Sequence, residues 1–337
     1  MIKLDAMGDV LRTTCLLPVM ARAWPEAGVT WITRPESVPL LENNPYVMEV
    51  IPYGPDAVLH LLARRFSKVI NLDAGKVASA LAALARADER IGYVLGEGGY
   101  VHATNPEAQT WLQLGIWDDL KRANQRTYQE IMCSILGLPQ EGARYVLELT
   151  NQEVEQARSH LLRLGFDPQR IAIGIHPGAG ARWAQKQWGE RNFVTLMQEL
   201  RGELGDRAQI ILLGGPSEEE LNERIVQAVG FSVIDTGCRN SVRHLAGLIK
   251  CCSVVLSADS LAMHLALATG RRAVVLFGPT SHAEIELFGL GEKVFAEMKC
   301  LACYNNSCQK SPNCMDLISV GMVKAAVLRQ LDLIVKE

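Results

Sequence analysis

Four cysteines crowd into 15 residues near the carboxyl end of the chain. A Cys-x2-Cys pair begins the group and two more thiols follow within about a dozen residues, a spacing that fits a tetrahedral four-sulfur site. Since a reducing compartment disfavours disulfides, we predict structural zinc or iron here. Four free thiols or two labile disulfides are the alternative, because no second Cys-x2-Cys pair follows. The predicted ligands are Cys300, Cys303, Cys308 and Cys314.

A glycine-containing turn near the amino terminus carries an acidic residue that could act as a base. The turn, Met7-Gly8-Asp9, follows a short apolar run and precedes a helix that we predict to start at Asp9 or Val10. There the Asp9 carboxylate could accept a proton from a hydroxyl group. Capping of the helix is the alternative, and the local sequence favours it, since aspartate is a preferred N-cap residue. The turn is not a G-x-G-x-x-G fingerprint, so a nicotinamide dinucleotide is not indicated.

A second loop, His176–Trp188, follows the first predicted strand of the carboxyl-terminal half. The small residues Gly178 and Ala179 permit close approach of the backbone to a diphosphate, and Lys186 could neutralise its charge. The spacing is not that of a Walker A motif, so a triphosphate is not implied. The alternative is a solvated Lys186 and two tryptophans packed on the sheet edge, Trp183 and Trp188.

A third loop joins a predicted strand to a helix that has polar residues at its start. Asp259 and Ser260 lie at that start, and His264 follows one turn later on the same helix face as Ser260. The backbone amides of a helix N-terminus suit an anionic ligand. The alternative is simple capping of the helix, with His264 as a partly buried, hydrogen-bonded histidine.

Short β-like apolar runs alternate with amphipathic helical segments along most of the chain. This alternation indicates βαβ units and mostly parallel sheets, and 337 residues exceed one typical domain. We therefore predict an α/β protein with an amino-terminal domain over 1–150 and a second domain over 151–319. The second domain includes the cysteine cluster at 300–314, and a terminal helix follows over 320–337.

Three segments of the amino-terminal half carry particular expectations. Met1–Leu4 is predicted to be a strand, and Val10–Trp24 to be one amphipathic helix. Residues 96–122 show no clear periodicity, so loops and short helices are expected there.

Composition excludes several classes of protein. The formal net charge is −3, so no global basic field attracts nucleic acid. No apolar run reaches the roughly 20 residues that a membrane-spanning helix needs. The amino-terminal residues include Lys3, Asp5 and Asp9, which is unlike a signal peptide, so we expect a cytoplasmic protein. Nothing in the sequence sets its oligomeric state.

Several motifs, taken in order, resemble one family. MGDVL at 7–11, HPGA at 176–179 with a later K-x-W, GGP at 214–216, SADSLAMHLA at 257–266 and LFGPT at 276–280 are similar to glycosyltransferase family 9, which contains the ADP-heptose:lipopolysaccharide heptosyltransferases. The resemblance spans essentially the whole chain. It implies the GT-B architecture, two Rossmann-like domains facing across a cleft, with acceptor contacts in the first and the ADP-sugar mainly in the second.

The resemblance also implies roles for single residues. Asp9 corresponds to the general base, and Lys186 to a lysine that contacts the donor phosphates. Either Glu218 or Glu219 corresponds to a carboxylate that holds the nucleotide ribose. The remaining donor contacts are Gly178 and Ala179 of the second loop, together with the helix start formed by Asp259, Ser260, Leu261, Ala262 and His264.

The implied reaction is inverting transfer of heptose, or a related sugar, from an ADP-sugar to a lipopolysaccharide-core or other glycan acceptor. It needs no divalent metal, and the chain has no DxD motif. Arg12 and Arg126 could meet phosphates of a lipid-linked acceptor, although surface solvation explains them equally well. Such an acceptor implies peripheral contact with the inner membrane.

Two departures from the family pattern and three rival functions accompany this interpretation. The first strand is shorter than is usual, as a mis-assigned start or a trimmed chain would produce, and position 6 is alanine where relatives carry a hydroxyl residue. The rivals are a nucleotide-sugar-binding scaffold or sensor that has lost transfer, a redox or metal sensor built on the cysteines, and a nucleotide-sugar epimerase on a related fold.

Overall fold

The computed structural model describes residues 1–180, 185–305 and 307–336, which form two compact units. The first unit is Met1–Glu148 together with Ala283–Glu286, and the second is Leu149–His282 together with Leu287–Glu337. Residues 283–286, which the sequence assigned to the second domain, therefore group with the first unit.

The first unit is an α/β unit whose strands and helices alternate. Its strands are β1 (Val29–Thr33), β2 (Val47–Pro52), β3 (Arg65–Asn71), β4 (Arg86–Leu95) and β5 (Val101–Ala103). Its helices are α1 (Met7–Thr13), α2 (Leu16–Ala23), α3 (Pro55–Ala63), α4 (Lys76–Leu84), α5 (Pro106–Ile116), α6 (Asp118–Ala123) and α7 (Tyr128–Leu136).

The amino-terminal residues join two groups of strands in this unit. β1 pairs with β2 and β3 with β4, all in parallel, while β5 runs antiparallel to β4. Ile2 makes parallel bridges to Ile32 of β1 and to Asn71 of β3, so the predicted strand Met1–Leu4 is reduced to one bridged residue between them. Ile2 and Leu4 are buried in the core of the unit.

One local expectation for this half was wrong, and another, the helices expected over 96–122, was correct but missed a short strand. The single helix predicted over Val10–Trp24 is the pair α1 and α2, because Pro18 has no N–H to donate to the carbonyl of Thr14 and thus interrupts the helical ladder. The segment 96–122 contains β5 and the 11-residue helix α5. Asn105 caps that helix by accepting a bond from the Ala108 amide, at 2.8 Å.

The second unit is a doubly wound parallel sheet. Its strands are β6 (Ile171–His176), β7 (Ala208–Leu212), β8 (Ile234–Asp235), β9 (Val254–Ala258), β10 (Arg272–Leu276) and β11 (Gly291–Val294). Its helices are α8 (Asn151–Arg163), α9 (Glu190–Leu204), α10 (Glu219–Val229), α11 (Val242–Lys250), α12 (Leu261–Ala268) and α13 (Val320–Lys336).

The strand order of this sheet is β11-β10-β9-β6-β7-β8. The chain starts in the middle, moves outward through β7 and β8, and then returns to build the other side from β9. β7, β9 and β10 are buried along their whole length, as expected for parallel strands covered on both faces. The order reverses between β6 and β9, and in such sheets ligands bind beyond the carboxyl ends of the strands at this switch point.

Within the described residues, no helix combines the length and apolar character needed to cross a membrane.

An ion pair between buried Arg243 and partly exposed Glu153 joins α11 to α8. Glu153 of α8 bonds both the Nε and the Nη2 of Arg243, the latter at 2.7 Å, and also accepts the Thr150 amide at 2.8 Å. The hydrogen bonds from Arg243 are the main reason that the pKa of Glu153 is lowered from 4.5 to about 2, against the opposing effect of burial. The pair therefore contributes stability above about pH 4.5 and loses it as pH falls towards 2.

We predict that Glu153→Gln lowers the free energy of unfolding by about 1–3 kcal/mol at pH 7, because it removes the ionised acceptor of two hydrogen bonds from the buried Arg243. Urea unfolding at pH 7 and at pH 3 measures this, and the difference from wild type should shrink at the lower pH. Glu190→Gln is the matched control, since Glu190 forms an exposed pair with Arg224 and should cost less than about 0.5 kcal/mol. Equal losses for both variants would contradict the prediction.

Candidate active site

The first feature at the switch point of the second unit is a tight contact between two loops. Gly178 follows β6, and a Cβ at this position would overlap the side chain of Glu218. Glu218 is buried and accepts bonds from the Gly215 amide at 2.9 Å and the Ser217 hydroxyl at 2.7 Å. Glu218 therefore lies against the glycine loop. Glu219, the other candidate for the ribose contact, instead pairs with Arg239 at 3.2 Å on the surface.

His176 ends β6 and lies beside the same carboxylate. Its Nδ1 donates to the Gly178 carbonyl at 3.2 Å, and its Nε2 is 3.9 Å from Glu218 Oε2. Burial lowers the pKa of His176 in spite of the nearby carboxylate, so the ring is neutral at pH 7. Ala179 is half-buried in the same loop.

Lys186 is buried rather than solvated. Its Nζ donates to Asp259 Oδ2 at 2.8 Å and to the Asp259 carbonyl at 3.0 Å. Burial by itself would raise the pKa of Asp259, but the Lys186 charge and its hydrogen bond outweigh this and lower it to about 2. The pair thus fixes a lysine next to the carboxyl end of β9.

Trp188 packs edge-on against Phe193 with ring centroids 5.0 Å apart, while Trp183 lies outside the described residues.

The start of α12 is not closed by a cap. Ser260 holds the N-cap position, but its hydroxyl lies 2.8 Å from that of Ser257, and within the described part of the chain no side chain bonds the first-turn amides. The capping interpretation is therefore wrong for this helix. The amides of Leu261 and Ala262 lie in that first turn, and buried His264 contributes to the low pKa of Asp259. Uncapped amides beside a lysine suit a diphosphate.

The cysteine loop packs against the turn that follows β10. The Ala302 and Tyr304 amides donate to the carbonyls of Gly278 and Pro279, at 3.2 and 2.7 Å. The Cys300 thiol accepts a bond from Lys310 at 3.0 Å, and all four thiols of the cluster are free. Across the described residues, no three His, Cys, Asp or Glu side chains are arranged to hold a metal ion. As placed, these residues do not fit the zinc or iron expected at Cys300, Cys303, Cys308 and Cys314.

Asp9 lies in the first turn of α1, in the other unit. The helix begins at Met7 with Ala6 as its N-cap, so both the predicted start at Asp9 or Val10 and the capping interpretation of Asp9 were wrong. The Asp9 carboxylate instead pairs with Arg12 Nη2 at 2.7 Å and is 29% exposed. A partly exposed carboxylate, oriented by an arginine, is suited to accept a proton.

The two predicted acceptor contacts have different surroundings. Arg12 is mostly buried, with its guanidinium 4.0 Å above the ring of Tyr128, so surface solvation does not explain it. Arg126 is half-exposed and pairs with Glu107 at 3.1 Å and with the Ser134 hydroxyl at 2.6 Å. Arg12 thus belongs with Asp9, and Arg126 occupies a surface ion pair.

Sequence reasoning missed a cluster next to α1. Lys3 is buried and bonds the carboxylates of Asp5, at 3.0 Å, and of Asp73. Burial raises the pKa of Asp73. The pKa of Asp5 lies well below its usual value, because its interactions with Asp73 and with the Lys3 charge outweigh the opposing effect of burial. A lysine in an otherwise apolar strand was the only available signal.

A doubly wound sheet with an open helix start and a lysine at its switch point defines a class, the α/β proteins that bind phosphate-bearing ligands. The sequence profile of glycosyltransferase family 9 (heptosyltransferase) matches residues 58–314. The chain belongs to this family of glycosyltransferases, which confirms the resemblance noted in its motifs.

Curated relatives carry related names. Lipopolysaccharide heptosyltransferase 1 of Escherichia coli O18:K1:H7 is 24% identical over 97% of this chain and 98% of its own length. Lipopolysaccharide heptosyltransferase 2 of Salmonella typhimurium is 30% identical, but that match covers 34% of this chain and only 32% of the relative, about a third of its length.

Solved structures confirm the predicted GT-B fold class. A glycosyl transferase of family 9 from Veillonella parvula matches with a TM-score of 0.78 at 20% identity, over 98% of this chain and 96% of that one. TibC from enterotoxigenic E. coli, described as an iron-containing dodecameric glycosyltransferase, matches with a TM-score of 0.58 at 13% identity, over 99% of this chain and 75% of that one.

We predict that Gly178→Ala destabilises the protein by about 1–3 kcal/mol, since the added Cβ must displace the bonded carboxylate of Glu218. Gly189→Ala is the control, because a Cβ there would meet only Asn192, at 3.6 Å. Denaturant unfolding compares the two variants. A Gly178→Ala protein as stable as the Gly189→Ala control would show that the loop contact is not tight.

Proposed function

We propose that this protein is an inverting glycosyltransferase that moves heptose, or a related sugar, from an ADP-sugar to a lipopolysaccharide-core or other glycan acceptor. The names of its relatives support the reaction, and another TibC structure is described as a complex with ADP-D-β-D-heptose. The observation that carries the proposal is the uncapped start of α12 with Lys186 beside it.

The donor diphosphate binds at this helix start in the proposed reaction. Amides of Leu261 and Ala262 donate to its oxygens, and Lys186, oriented by Asp259, adds a positive charge. Glu218 is the carboxylate available to the ribose. As the bond between the anomeric carbon and the phosphate oxygen breaks, these groups stabilise the charge that develops on ADP, a role that needs no divalent metal.

Asp9 acts as the general base in the proposed reaction. Its carboxylate takes the proton of an acceptor hydroxyl, whose oxygen forms the new bond to the anomeric carbon from the face opposite the leaving ADP. Arg12 keeps that carboxylate oriented through their 2.7 Å ion pair. A lipid-linked acceptor would bring the protein into peripheral contact with the cytoplasmic face of the inner membrane, and no nucleic-acid partner is proposed.

The rival functions lack comparable support. A scaffold or sensor without transfer does not require the partly exposed Asp9 carboxylate that pairs with Arg12. The match to a glycosyltransferase family disfavours an epimerase. Product analysis with ADP-heptose and a truncated lipopolysaccharide core separates transfer from epimerisation, because only transfer extends the core.

We predict that two variants separate the two halves of the reaction. Asp9→Asn should transfer sugar at least about 100-fold more slowly while binding ADP normally, since it loses only the base. Lys186→Gln should weaken ADP binding by about tenfold or more, since a charged hydrogen bond to phosphate is lost. Turnover by product analysis and ADP affinity by calorimetry measure these effects.

The comparison also has clear contrary outcomes. Unchanged turnover in Asp9→Asn would show that Asp9 is not the general base. Unchanged ADP affinity in Lys186→Gln would show that the donor diphosphate does not bind beside Lys186. Glu190→Gln again serves as the control that should alter neither quantity.

We further propose that the cysteine loop binds structural zinc or iron. The Cys-x2-Cys spacing and the iron-containing relative TibC support this proposal, whereas the described side-chain geometry does not. Elemental analysis of purified protein should find about one metal ion per chain, and EDTA in the transfer assay should leave turnover unchanged. Purified protein without bound metal would contradict the structural metal site. If such protein still lost turnover when EDTA was added, transfer would depend on a divalent metal, contrary to the proposal.

A further inference from the structure

The first unit contains a buried lysine that the proposed reaction does not use. The side chain of Lys3 is 3% exposed and that of its partner Asp73 is 2% exposed. Lys3 also bonds Asp5, whose side chain is 55% exposed. Since buried charges are costly to desolvate, an ion pair in this position contributes little to stability by itself. Its location next to α1 suggests a different use.

Asp73 ties the backbone of the first strand to the end of β3. Its Oδ2 accepts the Leu4 amide at 2.5 Å, in addition to the bond from Lys3. Asp73 is itself fixed by Asn71, whose side chain accepts the Asp73 amide and donates to the Asp73 carbonyl, both at 3.1 Å. The Asp73 carboxylate thus fixes residues 3 and 4, which lead into α1, by two hydrogen bonds.

The same segment determines where Asp9 lies. The Ala6 carbonyl accepts the amides of Asp9, at 2.8 Å, and of Val10, at 3.0 Å, so it anchors the first turn of α1. Only Asp5 separates Ala6 from Leu4, and Asp5 is bonded to Lys3. A shift of Lys3 would therefore be passed directly to the Asp9 backbone.

We propose that Lys3 is a positioning residue: its bonds to Asp73 and Asp5 fix the turn before α1 and so hold Asp9 where it can take the acceptor proton. This inference rests on the proposed function. Lys3 also acts through its charge, since it is attracted to the carboxylates of Asp73, Asp5 and Asp9. Tyr128 of α7 also faces Lys3, but burial raises its pKa and it is neutral at pH 7.

The test replaces Lys3 by methionine, which has a similar length and no charge. Because burial already raises the pKa of Asp73, that residue can take up a proton when Lys3 is lost and still accept the Leu4 amide. Lys68→Met is the matched control, since Lys68 on β3 makes a surface pair with Glu89. Turnover, the KM for each substrate, ADP affinity and thermal stability are measured for both variants and for Asp9→Asn.

We expect Lys3→Met to lower kcat by about tenfold or more, because small displacements of a catalytic group are costly. ADP affinity should stay within about twofold of wild type. The KM for each substrate should also stay within about twofold of wild type, so that the loss falls on kcat alone. A merely structural role would raise KM and lower thermal stability together with kcat, and Lys68→Met should change none of these quantities.

The outcomes separate the two claims. A wild-type chain without transfer overturns the proposed function and the positioning role with it. An active wild type, an inactive Asp9→Asn and a folded Lys3→Met with unchanged kcat overturn the positioning role alone. Should Lys3→Met not fold, Asp73→Asn keeps an acceptor for the Leu4 amide while removing the ion pair; it should lose about fivefold or more in kcat, and unchanged kcat overturns the role.

Discussion

The open start of α12 is the constraint on which the chemistry of the second unit depends. A helix must satisfy its first amides by a side chain, by water or by a ligand, and here Ser260 bonds Ser257 instead of the helix. The first amides of α12 are therefore left available to an anion at the point where the strand order reverses. Gly178 without a side chain, buried Glu218 and the oriented Lys186 are all arranged around the same end of the sheet.

Each unit uses a buried lysine–aspartate pair at the carboxyl end of its central strands. In the second unit Lys186 pairs with Asp259, and in the first Lys3 pairs with Asp73. Buried pairs of this kind add little net stability, but they allow only one geometry, because neither charge can be left alone in the interior. Each pair thus gives a loop a defined position at the cost of some stability, in one unit at the proposed diphosphate site and in the other beside the proposed base.

The cysteine loop shows how a sequence pattern and a tertiary arrangement can point in different directions. Four thiols at metal-like spacing predict a metal site, yet the loop packs by its backbone against Gly278 and Pro279, and Cys300 bonds Lys310. This packing connects the loop to the turn that carries Thr280, which contributes to the low pKa of Asp259. Its position beside the proposed donor site follows from the fold whether or not a metal binds.

The sequence alone determined the α/β class, the family and most elements of the second unit, because buried parallel strands and amphipathic helices have strong periodicities. Through family motifs it also predicted site roles for Asp9, Lys186 and Asp259. Only the tertiary structure decided that α1 starts before Asp9, that Lys186 is paired and that Lys3 is buried between two aspartates. These depend on contacts between residues some 70 positions apart, and a local pattern carries no information about which distant carboxylate will neutralise a buried charge.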